Sequence, residues 1–106
     1  MKYNGPMKIY KIAKSITLYR GESVYNKGGK YWTTDREWAR QFTQSGQDKE
    51  VRKLSVPENW IYRADPLPEA VNEDQLSQTL AEAKRLGFKA IWVNEGLNEP
   101  NSVLML

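Results

Sequence analysis

Between Asn72 and Val93 the chain spells out a helix, a stop and a buried strand, and this stretch limits the fold more than any other. Asn72 is a favoured helix cap, and Glu73 and Asp74 place negative charge in the first turn, where the helix dipole welcomes it. Leu76, Leu80 and Ala83 recur at helical spacing and mark one apolar face. Lys84 and Arg85 complement the C-terminal end, and Gly87 supplies the left-handed residue that closes many helices. The run from Phe88 to Val93 follows, with Ala90-Ile91-Trp92-Val93 nearly continuous in its apolar character, as in a strand buried within a sheet. An amphipathic helix feeding a buried strand requires a sheet for the helix to cover.

The segment ITLYRGESVYNKGGKYWTTDREWARQFT, residues 16–43, adds a second such unit. Ile16 to Tyr19 reads as a short strand that ends in Arg20 and Gly21. Gly28-Gly29 breaks it, and Lys30-Tyr31-Trp32-Thr33 resumes an extended course rich in aromatic and β-branched residues. Thr34-Asp35-Arg36-Glu37 fits a capping box, with the Thr34 hydroxyl facing the Glu37 amide, so a helix is expected from there. Trp38 and Phe42, four residues apart, give it an apolar face. Residues 1–6 read as a loose tail, Met7 to Ile12 as an edge strand carrying lysines, and Gln44 to Asp48 as a polar loop. Further strands are expected at Glu50 to Val56, at Trp60-Ile61-Tyr62 and at Val103 to Leu106, with Asp65-Pro66-Leu67-Pro68 as a linker between elements. The order predicts one α+β domain spanning residues 1–106, a mixed, mostly antiparallel sheet with two main helices.

At 106 residues there is room for one core. The chain has no cysteine and no histidine, which removes disulfides, thiol catalysis, the usual zinc sites, histidine bases and every Ser-His-Asp arrangement. No metal site is expected. Chemistry must come from carboxylates, Arg, Lys, Tyr and hydroxyls. Sixteen basic residues against 13 acidic give a formal charge of +3, compatible with an anionic ligand without requiring one. The opening MKYNGPMKIYK lacks the apolar run of a signal peptide, and no stretch has the length of a membrane span, so the expected setting is cytoplasmic.

A strand ending in Tyr-Arg-Gly, a glycine-rich stretch, Tyr-Trp-Thr-Thr and a helix containing Ala-Arg-Gln-Phe together resemble the front half of ADP-ribosyltransferase-fold domains. The Leu-Gly-Phe-Lys-Ala junction and the Glu-Pro-Asn-Ser step into a last strand are similar to the rest of that fold, so the resemblance runs from Ile16 to the end. It implies that NAD is bound as a substrate. Arg20 would organise the dinucleotide, the Gly21 backbone would meet the nicotinamide amide, and Tyr31, Trp32, Thr33, Thr34 and Phe42 would line the pocket. Small free-standing domains of this kind resemble toxins or phage effectors that modify a host component, with a protein as the expected target.

Breaking a glycosidic bond through an oxocarbenium-like state calls for a carboxylate, and Glu95 and Glu99 lie in the right loop. Glu99 is the preferred catalytic candidate beside Arg20, and Glu95 is expected to be a surface charge. The chain departs from the resemblance here: Asn101-Ser102 stands where such domains often carry their Glu, which puts activity in doubt and leaves Asn101 as a rival occupant. Two other readings stand beside the enzyme. One is a non-catalytic member of the fold that blocks a protein by binding it. The other is a nucleic-acid-binding module using Lys49, Arg52, Lys53 and Arg63 on phosphates. Arg20 itself has a purely structural alternative, an ion pair with Glu22 or Glu37.

Overall fold

The computed structural model describes residues 14–23, 29–43 and 50–106. The loose tail, the strand expected at Met7 to Ile12, the loop at Gln44 to Asp48 and Lys49 lie outside them. The chain order is β1 (Ser15–Gly21), β2 (Tyr31–Thr33), α1 (Arg36–Arg40), β3 (Val51–Pro57), a 3₁₀ turn (Glu58–Trp60), β4 (Ile61–Tyr62), α2 (Glu73–Arg85), β5 (Ala90–Val93) and β6 (Ser102–Met105). Among the described residues the six strands form one sheet in the order β3-β1-β2-β6-β5-β4. Every pairing is antiparallel except β4 with β5. The mixed, mostly antiparallel α+β architecture is therefore observed. No helix among the described residues is long and apolar enough to cross a membrane.

Helix α2 forms for the reasons its sequence states. The Asn72 side chain accepts a hydrogen bond from the Gln75 amide at 3.0 Å. At the other end Gly87, at φ 90°, donates to the Lys84 carbonyl while Phe88 donates to Ala83, which satisfies two carbonyls that the last turn would leave bare. Leu76 and Ala83 are buried and Leu80 half-buried, so the apolar face does meet the sheet.

Alternation of side chains divides the core in two. Ile91, Val93 and Leu104 point towards α2 and join Leu76 and Ala83. On the opposite face Leu18, Val56, Ile61, Ala90 and Val103 pack together, with Trp32 and Trp92 against them. Val56 and Ile61 come from strands at the two ends of the sheet order yet belong to one buried cluster, in keeping with a curled sheet.

One expectation needs correction. The Thr34–Glu37 capping box does not form. Thr33, whose residue is 5% exposed, turns its hydroxyl to accept the Asp35 amide at 3.0 Å, and Asp35 then caps the helix by accepting from Trp38 at 3.0 Å. Glu37 pairs instead with Arg40. The start moves by one residue because Asp35, whose own amide is held by the Thr33 hydroxyl, supplies the capping oxygen to Trp38 in place of Thr34. The proline-rich stretch Asp65-Pro66-Leu67-Pro68 carries no regular structure, as expected of a linker. At its end the Pro68 carbonyl accepts from the Asn94 amide and the Asn94 carbonyl accepts from Ala70, so a single parallel bridge at Glu69 ties the linker to the residue after β5.

Candidate functional site

Strand register decides which side chains can meet. Tyr19 lies opposite Thr33, and Thr33 lies opposite Ser102, which also faces Val93 across the next pairing. By the two-residue period Tyr19, Gly21, Tyr31, Thr33 and Ser102 share one face of the sheet. Helix α1 rises beside them, and the loop after β5 closes the other side. Between these walls lies a cleft of about 300 Å³, bordered by Arg20, Gly21, Tyr31, Trp32, Thr33, Phe42 and Glu99 of the residues expected there, and by Tyr19, Trp38, Ala39, Glu95 and Ser102 in addition. Thr34 is exposed and takes no part in the lining.

Arg20 belongs by parity to the Trp32 face and reaches the cleft from the strand end. Its Nη1 donates to the Tyr31 carbonyl at 2.9 Å, and its Nε lies 3.3 Å from Glu22 Oε2. The guanidinium rests on Gly29, where an added Cβ would fall 2.2 Å from Nη2. Of the two ion-pair partners considered for Arg20, Glu22 is in contact, and it also faces Arg52 at 3.7 Å. The side chain is thus both a cleft wall and part of a charge network.

Gly21 is explained by packing rather than by close approach of a ligand. A Cβ there would lie 1.8 Å from the Ala39 carbonyl oxygen, so β1 and α1 touch backbone to backbone at this point. Trp38 and Phe42 meet edge to face with ring centroids 6.0 Å apart. The apolar face expected for this helix therefore covers the end of the cleft, and Phe42 remains 48% exposed at its edge. Alternation along the strand separates Tyr31 from Trp32: Trp32 packs on the inner core, while Tyr31 stays 37% exposed. Burial raises the Tyr31 phenol pKa above its ordinary value of 10.0, and the negative charge of Glu95 adds to the rise.

The two carboxylates differ in a way that the loop sequence does not announce. Glu99 is exposed at the rim and makes no side-chain hydrogen bond among the described residues. Glu95, expected to be a surface charge, is half-buried and accepts a 2.5 Å hydrogen bond from the Ser102 hydroxyl on its Oε2. Asn94 holds the turn, its Oδ1 accepting from the Gly96 amide at 2.9 Å, and positive φ at Gly96 and Asn98 carries the loop back towards Pro100. In the sequence Ser102 stands out only as part of the Asn101-Ser102 step where a Glu would be expected. Its pairing with both Thr33 and Val93, which aims it into the cleft, exists only in the folded sheet.

The basic stripe is not a continuous row. Arg52 pairs with Glu22, Arg63 lies 5.8 Å from the Trp92 ring centroid, and Lys53 is exposed on β3. No group of three acidic side chains placed to hold a metal ion occurs among the described residues. No protein-family model, curated protein or solved structure matches this chain.

Proposed function

We propose that the cleft binds NAD as a substrate and that the chain transfers ADP-ribose from it to a macromolecular acceptor. The observation that carries this reading is convergence. Residues spread from Arg20 to Glu99, chosen on their sequence context, border one cleft with Thr34 as the exception. Tyr31 and Phe42 offer aromatic surface for a nicotinamide ring. Arg20 holds positive charge at the wall, on the side suited to a diphosphate.

In the reaction the bond between C1′ of the ribose and the nicotinamide nitrogen breaks, and the electron pair leaves with nicotinamide. A lone pair of the acceptor forms the new bond to C1′, and the acceptor's proton passes to solvent. Positive charge builds on the ribose in between. A carboxylate of the 95–99 loop opposes that charge, and the sheet and α1 keep bulk water from one side of it.

Calorimetric titration with NAD tests the reading. Wild type is expected to bind, and Arg20→Ala to weaken binding at least tenfold, which corresponds to about 1.4 kcal/mol. A folded wild-type protein with no detectable binding at millimolar NAD would sink the proposal.

A further inference from the structure

The structure assigns to Ser102 a positioning role: its hydroxyl holds Glu95 in the cleft, and Glu95, rather than Glu99, is the carboxylate that meets the charge developing on a bound substrate. The inference rests on the NAD reading for the identity of that substrate, and on the geometry alone for the pairing of the two side chains.

Ser102 is the first residue of β6 and is only 4% exposed. A hydroxyl so buried needs a partner, and Glu95 Oε2 supplies it at 2.5 Å, in the range of a charge-assisted hydrogen bond. The serine cannot drift, because its backbone is pinned between β2 and β5. Glu95 is fixed at its own end as well. Asn94, just before it, exchanges backbone hydrogen bonds with Pro68 and Ala70 and binds the Gly96 amide through its side chain. A carboxylate held at both its backbone and one oxygen has lost its rotamer freedom before any ligand arrives. The other oxygen, Oε1, has no hydrogen-bond partner among the described residues, which leaves it for a ribose hydroxyl or for the positive charge itself. Preorganisation of this kind is what makes a fixed charge effective against a transition state. Glu99, exposed and unattached, would have to be ordered at the moment of reaction.

The test uses the full chain and four variants, Glu95→Gln, Glu99→Gln, Ser102→Ala and Ser102→Thr, with NAD affinity from calorimetry and nicotinamide release from chromatography. Glu95→Gln is expected to keep affinity within a few-fold and to cut release by roughly a hundredfold, the scale for removing a group that acts on transition-state charge. Ser102→Ala should lower kcat by about tenfold with little change in KM, the split expected when a positioning contact is lost rather than a binding one. Ser102→Thr keeps the hydroxyl and should recover most of the loss. Glu99→Gln should cost less than Glu95→Gln. A larger loss in Glu99→Gln, or an Ser102→Ala variant that changes KM alone, would overturn the assignment.

If wild type neither binds nor cleaves NAD, the substrate reading fails and the pairing is judged separately by carbon-detected NMR. The Glu95 side-chain carboxyl resonance must then move in Ser102→Ala and stay near its wild-type position in Ser102→Thr. No movement in the alanine variant would overturn the pairing as well.

Discussion

Tyr31 and Glu95 illustrate how single side chains acquire properties that their types do not carry. Tyr31 is part of the cleft surface, yet partial burial and the neighbouring Glu95 charge raise its pKa above the usual 10.0. The folded state therefore keeps the Tyr31 proton at pH values where the unfolded chain has released it. Unfolding then releases a proton, so stability falls as pH rises from about 10 towards the raised folded value, and below that window the group contributes no slope. The expected result is that Tyr31→Phe flattens the alkaline limb of a plot of urea midpoint against pH. A tyrosinate absorbance titration, wild type minus variant, should also show a component ionising above 10. An unchanged alkaline limb would mean that the phenol is fully solvated.

At the level of elements, the two helices have caps of opposite legibility. Asn72 and Gly87 bracket α2 as their types suggest, because both act on amides and carbonyls of their own helix. Asn72→Ala should therefore destabilise the protein by about 1 kcal/mol, measured by denaturant titration, with no change in the slope of the transition. The start of α1 is set by two local hydrogen bonds that a capping-box pattern does not describe. Thr33 is a strand residue whose hydroxyl takes the Asp35 amide, and only then is Asp35 the cap. A motif scan sees Thr34 and Glu37 at the right spacing and has no means of knowing that Asp35, one residue on, takes the capping place. Likewise Asp65-Pro66-Leu67-Pro68 contains two residues without a donor, yet Pro68 still offers a carbonyl, and Asn94 uses it.

For the molecule as a whole, stability rests on the two apolar layers on either side of the curled sheet. Ile91 is fully buried between β5 and α2, and Ile91→Ala should cost about 2–5 kcal/mol through lost burial and the cavity left behind. Val71 and Leu97 are 88% and 89% exposed, and Val71→Ser and Leu97→Ser should each stay within about 0.5 kcal/mol of wild type. Thermal or urea unfolding of the three variants makes the comparison. An equal effect at Ile91 and Val71 would show that the packing of α2 on the sheet is wrong. The proposed chemistry belongs to this scale too, since the cleft draws on β1, β2, α1, the loop after β5 and the first residue of β6.

Along the chain alone, the α+β class, the extent of α2, most strands and seven of the twelve residues around the cleft were legible. These depend on local rules: apolar periodicity, capping within one helix, and the stop imposed by glycine and proline. Strand ends shifted by a residue or two, because pairing with a neighbour decides where a strand stops. What the folded sheet alone could decide was which of two nearby acids is held. Glu95 and Glu99 have similar loop contexts, and nothing in their spacing favours the first. Pairing of β6 with both β2 and β5 places the Ser102 hydroxyl against Glu95, a contact between residues on different elements that no local pattern encodes. The same holds for Gly21, where the reason for a glycine is the Ala39 carbonyl of a helix that packs across it.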